Sequence, residues 1–172
     1  MKRYCITDSL EVARRAEEAG ASMIQVRAKE LSARKLAELV RGVQGFAKCP
    51  VLVNTRTDVA LACGASGVHL PSHSVAPSLV RRIAPSGFLI GVSCHSVSQL
   101  RAAEEEGADF AVFGPVFPST TKFVTPVGLD ALRQAAASVR LPVFALGGVN
   151  KDNEPLCIEA GAAGIAGISF FT

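Results

Sequence analysis

The sequence predicts a short (β/α)8 TIM-type barrel, a single domain over residues 1–172, and three observations carry that prediction. Eight apolar runs follow one another, at 4–6, 23–24, 51–53, 67–68, 88–92, 110–113, 143–146 and 164–168, and nearly all meet a polar or glycine-rich end. Unbroken apolar runs suit parallel strands buried on both faces. Segments with helical spacing separate the runs. Finally, Gly-Ala recurs at Gly20-Ala21, Gly64-Ala65, Gly107-Ala108 and Gly161-Ala162, just before the second, fourth, sixth and eighth runs. Glycine at such a place ends the preceding helix in the left-handed region. A (βα)2 unit used four times, joined by right-handed crossovers, closes into an eight-stranded barrel more readily than it fans into an open doubly wound sheet.

Each element can be justified in turn. Tyr4-Cys5-Ile6 runs into Thr7-Asp8, and a helix over 10–19 sets Leu10, Val12 and Ala16 among Glu11, Arg14, Arg15, Glu17 and Glu18. The second run stops at Gln25-Val26-Arg27-Ala28-Lys29, and a helix over 32–46 spaces Leu36, Leu39, Val40 and Val43 along one face. The third run ends at Asn54-Thr55-Arg56 and the fourth at His69-Leu70-Pro71-Ser72-His73-Ser74. After the fifth, Ser93-Cys94-His95 leads into a helix over 96–106 with Ser96 as its cap. The sixth run meets Gly114-Pro115 and precedes a helix over 128–139; the seventh meets Gly147-Gly148-Val149-Asn150 and precedes one over 153–160. The eighth run stops at Ser169, followed by Phe170-Phe171-Thr172, so the predicted barrel lacks its eighth helix and a partner could cover that wall. The length is also below the roughly 200 residues at which such barrels usually begin.

Composition excludes several classes. Hydrophobic residues make up 49% and charged residues 19%, a globular rather than a disordered balance. The net charge of +3, with no dense Lys/Arg run, argues against nucleic acid as a partner. No apolar stretch approaches the ~20 residues of a membrane span, and Met1-Lys2-Arg3 does not open a signal peptide. Five scattered cysteines without a C-x-x-C pair imply reduced thiols, a cytoplasmic protein and no zinc site.

Parallel strands aim their C-terminal ends at one side, so the polar tips define a candidate site. Gly147 and Gly148 after the seventh strand, with Gly167 and Ser169 closing the eighth, stand where barrels often bind phosphate through backbone amides. Gln25, Arg27 and Lys29 alternate and therefore share one face. Ser93 and His95 share a parity that turns His95 to the mouth, where an imidazole suits proton transfer near neutral pH. Cys94 has the opposite parity, which argues against a Cys-His nucleophile. The loop 114–122 supplies hydroxyls and Lys122, suited to an anionic ligand. His69 and His73 flank the fourth tip, but no third ligand is in reach for a metal.

As an ordered set, these segments resemble the thiamine phosphate synthase / TenI family: Tyr4-Cys5-Ile6-Thr7-Asp8, Gln25-Val26-Arg27-Ala28-Lys29, Val53-Asn54-Thr55-Arg56-Thr57-Asp58, Gly67-Val68-His69-Leu70, Gly114-Pro115-Val116-Phe117 with Thr121-Lys122, and Ala145-Leu146-Gly147-Gly148. The resemblance runs over almost the whole chain. It implies a (β/α)8 barrel, usually a homodimer, acting in thiamin biosynthesis on a small-molecule thiazole phosphate. The synthase branch joins a pyrimidine pyrophosphate to a thiazole phosphate and needs Mg2+. Its pattern has aspartates where this chain has Thr55 and Ser74. The TenI-like branch is similar at His69-Leu70-Pro71-Ser72 and at Gly91-Val92-Ser93-Cys94-His95-Ser96. Its active members are thiazole tautomerases, which make a carboxythiazole phosphate aromatic with a histidine at the His95 position and no cofactor.

The resulting expectation is a metal-free thiazole tautomerase. His95 would be the acid/base, and Gln25, Arg27, Lys29, Asn54, Ser93, Thr121 and Lys122 the substrate-binding residues. Gly147, Gly148, Gly167 and Ser169 would hold the phosphate. The alternatives are a Mg2+-dependent thiamine phosphate synthase and a catalytically silent binding or regulatory protein on the same scaffold. An unrelated phosphate-sugar barrel enzyme fits the ordered motifs poorly.

Overall fold

A computed structural model describes residues 1–118 and 124–171. Eight parallel strands pair in sequence order and the eighth closes on the first. They are β1 (Lys2–Thr7), β2 (Met23–Val26), β3 (Val51–Asn54), β4 (Gly67–Leu70), β5 (Leu89–Cys94), β6 (Phe110–Phe113), β7 (Val143–Leu146) and β8 (Gly164–Gly167). Between them lie α1 (Leu10–Glu18), α2 (Ala33–Gln44), α3 (Thr57–Ala62), α4 (Pro77–Arg81), α5 (Val97–Glu105), α6 (Gly128–Ala137) and α7 (Glu154–Glu159). The barrel is economical because α3, α4 and α7 are only 6, 5 and 6 residues long.

Local chemistry sets these elements. Ser9, Ser32 and Ser96 each accept a hydrogen bond from a backbone N–H three residues on, capping α1, α2 and α5. The four repeat glycines, Gly20, Gly64, Gly107 and Gly161, all have positive φ, so the turn from helix to even-numbered strand is one motif used four times.

Strand parity then divides the core in two. One set of strand side chains, including Cys5, Ile24, Val53, Val68 and Cys94, packs outward under the helices. The other set fills the lumen: Tyr4, Ile6, Met23, Leu52, Phe110, Val112, Phe144 and Ala166. Tyr4, Phe110 and Phe144 meet edge to face with centroids 5.4–6.1 Å apart, the geometry aromatic quadrupoles favour. This aromatic layer plugs the barrel and forms the floor beneath the strand tips.

After β8 the described residues form one 3-10 turn, Ser169–Phe171. Phe171 is buried in the outer core with Ala13 and Ala16, and Phe170 lies beneath the Arg3 guanidinium, 5.3 Å from ring centre to charge. Arg3 is itself held by the buried Glu154 at 3.0 Å. The two phenylalanines therefore pack on their own barrel.

Candidate active site

Eight strand tips around an aromatic floor leave a cavity of about 320 Å³ at the C-terminal mouth. Gln25, Arg27 and Lys29 from the β2 tip, Asn54 from β3, and Ser93 and His95 from β5 all line it. Thr55, His69, Pro71, Ser72 and His73 complete that wall, and Ile6, Val112, Leu146 and Ile168 supply its apolar surface. The β2 trio reaches the cavity because the strand period repeats every second residue, while Val26 between them is buried outward.

His95 lies just beyond the end of β5. Its Nδ1 is 2.7 Å from the carbonyl oxygen of Gly114. A carbonyl only accepts, so Nδ1 carries the proton, and in the neutral ring Nε2 keeps its lone pair. His95 is thereby built as an acceptor or base from the side opposite Gly114. The neighbouring thiol is not a nucleophile: Cys94 is fully buried under the helices, and burial pushes it up to about 11.

His69 does more than flank the fourth tip. It faces the lumen, 3% exposed, with Nδ1 3.3 Å from the Tyr4 hydroxyl and Nε2 2.9 Å from Ser93 Oγ. Gln25, 1% exposed, donates from Nε2 to the same Tyr4 hydroxyl at 2.9 Å. Burial, with the Arg27 guanidinium adding to it, pushes the His69 pKa down to about 3. The signal was available: strand period two turns residues 67 and 69 to one face, and the lumen is that face. Gly91 makes the room, since a Cβ there would stand 2.8 Å from His69 Nδ1 and would overlap the Phe110 ring.

The glycine tips are placed differently. Gly147, Gly148 and Gly167 do not line the cavity; their neighbours Leu146 and Ile168 do. Gly147 and Gly148 have φ of 94° and 63°, and a Cβ on Gly147 would press into Pro115 at 2.5 Å and one on Gly148 into Phe117 at 2.8 Å. Among the described residues, neither amide donates to a backbone carbonyl. Ser169 begins the 3-10 turn beside this site. Thr121 and Lys122 lie outside the described residues.

Charge decides what the mouth can hold. Arg27 and Lys29 are cationic, and no Asp or Glu is among the described residues that line the cavity. Thr55 and Ser74 stand where a family aspartate is expected, and Asp58 is committed to Arg56 at 2.6 Å outside the cavity. Among the described residues no group of three metal-binding side chains converges. Mg2+ seeks carboxylate and phosphate oxygens, so the donors present here do not fit a resident Mg2+. The wall is suited to an anion instead.

Comparison with known proteins agrees with this architecture. The chain is 40% identical over 98% of its length to a protein named putative thiamine-phosphate synthase 2 from Aquifex aeolicus, covering 96% of that protein. It is 43% identical over 94% of its length to a putative thiamine-phosphate synthase from Geobacter sulfurreducens, covering 78% of that protein. Among solved structures it superposes on thiamine phosphate pyrophosphorylase from Pyrococcus furiosus with a TM-score of 0.82 and 37% identity, covering 98% of this chain and 85% of that one. A 3-hexulose-6-phosphate synthase with a TM-score of 0.76 and 18% identity shares the fold alone. The family model described as thiamine monophosphate synthase matches residues 2–171, and the chain belongs to that family of thiamine-biosynthesis barrels.

Proposed function

We propose that the chain is a transferase of the thiamine-phosphate synthase type, joining a pyrimidine pyrophosphate to a thiazole phosphate. The observation that carries this reading is the family match over residues 2–171, with relatives named for that reaction, and the cavity adds Arg27 and Lys29 to meet an anionic leaving group. In the coupling, the bond from the pyrimidine methylene to pyrophosphate oxygen breaks, and the leaving group takes the electron pair. The thiazole nitrogen forms the new bond to that methylene. Arg27 and Lys29 neutralise the leaving pyrophosphate. The amides of Gly147 and Gly148, which have no backbone acceptor among the described residues, suit the phosphate of the thiazole, and the apolar wall of Ile6, Val112 and Leu146 takes the rings.

The tautomerase expected from the sequence stands as a second reading, favoured by one observation. The cavity offers a histidine whose tautomer is fixed for proton abstraction and, among the described residues, no carboxylate for a metal. Under this reading His95 Nε2 removes a proton from the carboxythiazole phosphate and returns one elsewhere on the ring, making it aromatic.

One assay separates these readings. The purified protein is given both coupling precursors, with and without Mg2+, and separately the carboxythiazole phosphate alone. Formation of the coupled product supports the first reading. Metal-independent conversion of the carboxythiazole alone, with no coupling, refutes it in favour of the second. Tight binding with neither turnover leaves only the silent binding role. His95→Ala sharpens the choice: coupling requires no proton from the ring and should fall by less than about tenfold, whereas tautomerisation should fall by about 100-fold or more.

A further inference from the structure

A hydrogen-bonded chain crosses the lumen from β2 to β5, running Gln25–Tyr4–His69–Ser93, with separations of 2.9, 3.3 and 2.9 Å. Gln25, Tyr4 and His69 are buried, and Ser93 is half-buried at the cavity wall. Such a chain has a direction. The Gln25 NH2 only donates, so the phenol oxygen accepts from it and its single proton goes to His69. Nδ1 of His69 is then the bare nitrogen, and the neutral ring carries its proton on Nε2. That proton is donated to Ser93 Oγ, and the hydroxyl proton of Ser93 is left to turn into the cavity.

We propose that His69 is a positioning residue that fixes Ser93 as a hydrogen-bond donor to the ligand. This rests on the reading that the mouth binds a thiamine precursor. It adds a preference: the free Ser93 hydroxyl proton is best met by an acceptor, such as a bare ring nitrogen or an anionic oxygen. Two residues on, the Gly114 carbonyl fixes His95 as the opposite partner, an acceptor at Nε2. The β5 tip thus presents a fixed donor and a fixed acceptor on one face, each set by a group behind it. The arrangement survives changes in pH because enclosure by Tyr4, Phe110 and Ser93, with Arg27 acting on the ring, keeps His69 uncharged.

Two measurements test this. Nitrogen-15 NMR of the imidazoles in the full-length protein reads the tautomer without any ligand. The expected result is one neutral His69 form with a proton on Nε2, unchanged between pH 7 and pH 5, and a mixture of tautomers in Tyr4→Phe. A proton on Nδ1, or a charged ring, would overturn the proposal. Affinity for the pyrimidine pyrophosphate and the thiazole phosphate is then measured in a mutant cycle. His69→Leu and Ser93→Ala should each weaken one of the two by about tenfold, a typical cost for a lost buried hydrogen bond. His69→Gln, which keeps an N–H toward Ser93, should stay within about threefold, and His69→Leu in the Ser93→Ala background should cost almost nothing more. Equal, additive losses in the two backgrounds would mean that His69 acts through packing alone. If the unmodified protein binds neither precursor, the functional reading fails, and the tautomer measurement alone decides the polarity of the chain.

Discussion

Acidification should destabilise the barrel through His69. The ring is enclosed by Tyr4, Phe110 and Ser93, and burial, followed by the Arg27 guanidinium, holds its pKa at about 3 against an ordinary 6.5. Above pH 6.5 the imidazole is neutral in both folded and unfolded chains and contributes nothing. As pH falls from 6.5 towards 3, the unfolded chain binds a proton that the folded chain refuses, so stability drops with slope ~1.4 kcal/mol per pH unit. By pH 4.5 the loss is about 3 kcal/mol, a large share of the roughly 5–15 kcal/mol that holds a domain together. Glu17 and Asp58, whose carboxyls are held below their ordinary values by hydrogen bonds and by Arg56 respectively, lose their own contributions only at lower pH. The assay is urea unfolding followed by circular dichroism, since the chain has no tryptophan and a single tyrosine. It compares the unmodified protein with His69→Gln at pH 7.0 and 4.5 and constant salt. The glutamine does not titrate, so the stability difference between the two proteins should shift by about 3 kcal/mol in its favour on acidification. A shift below about 0.5 kcal/mol would show that His69 takes up its proton in the folded state and would refute the reasoning.

Three further substitutions test the frame around the site. Thr55 is a β-branched residue held at φ 64°, a conformation that costs roughly 1–2 kcal/mol; Thr55→Gly should raise the urea midpoint by ~1 kcal/mol of stability, and a lowered midpoint would contradict the strain. Gly91→Ala would force a methyl against His69 and Phe110 and should cost about 1–3 kcal/mol, read as a lower melting temperature. Arg3→Leu leaves the Glu154 side chain, 5% exposed, without its partner; a loss of about 3 kcal/mol is expected, with part regained when Glu154→Gln is added.

Much of this architecture is legible from periodicity. The repeated Gly-Ala steps mark the turns into even-numbered strands because only a left-handed residue ends each helix there. The parity of Gln25, Arg27 and Lys29, and of Ser93 and His95, brings them to one cavity for the same reason that it turns Cys94 away. The short helices α3 and α4 escape periodicity because 5 or 6 residues hold too few turns to show a stripe. The role of His69 escapes for a different reason. Its partners Tyr4 and Ser93 lie 65 and 24 residues away, and only closure of the barrel makes them neighbours. Read along the chain, Gly67-Val68-His69-Leu70 is an apolar strand with one imidazole; read across the lumen, it is the centre of a polar chain.

The glycine pair after β7 shows how a structural cause and a functional one can coincide without either implying the other. Gly147 and Gly148 must be glycine because the segment after β6 lies directly on them: Pro115 and Phe117 occupy the space a Cβ would need, and both φ values are positive. The Gly147 carbonyl also accepts from the Phe117 amide at 3.0 Å, and the Gly148 carbonyl from Asn153 at 2.9 Å. These contacts account for the residue type without any ligand. What they leave over is the polarity of the peptide units. Both carbonyls are used inward by neighbouring elements, while among the described residues neither amide has a backbone acceptor. A phosphate site at this tip therefore rests on these two amides and not on the residue type. It follows that substitution of the glycines tests packing, whereas inorganic phosphate, titrated while the Gly147 and Gly148 amides are observed by NMR, tests binding. Shifts confined to these two amides and their neighbours would support the anion seat; unshifted amides at saturating phosphate would leave the glycines with a packing role only.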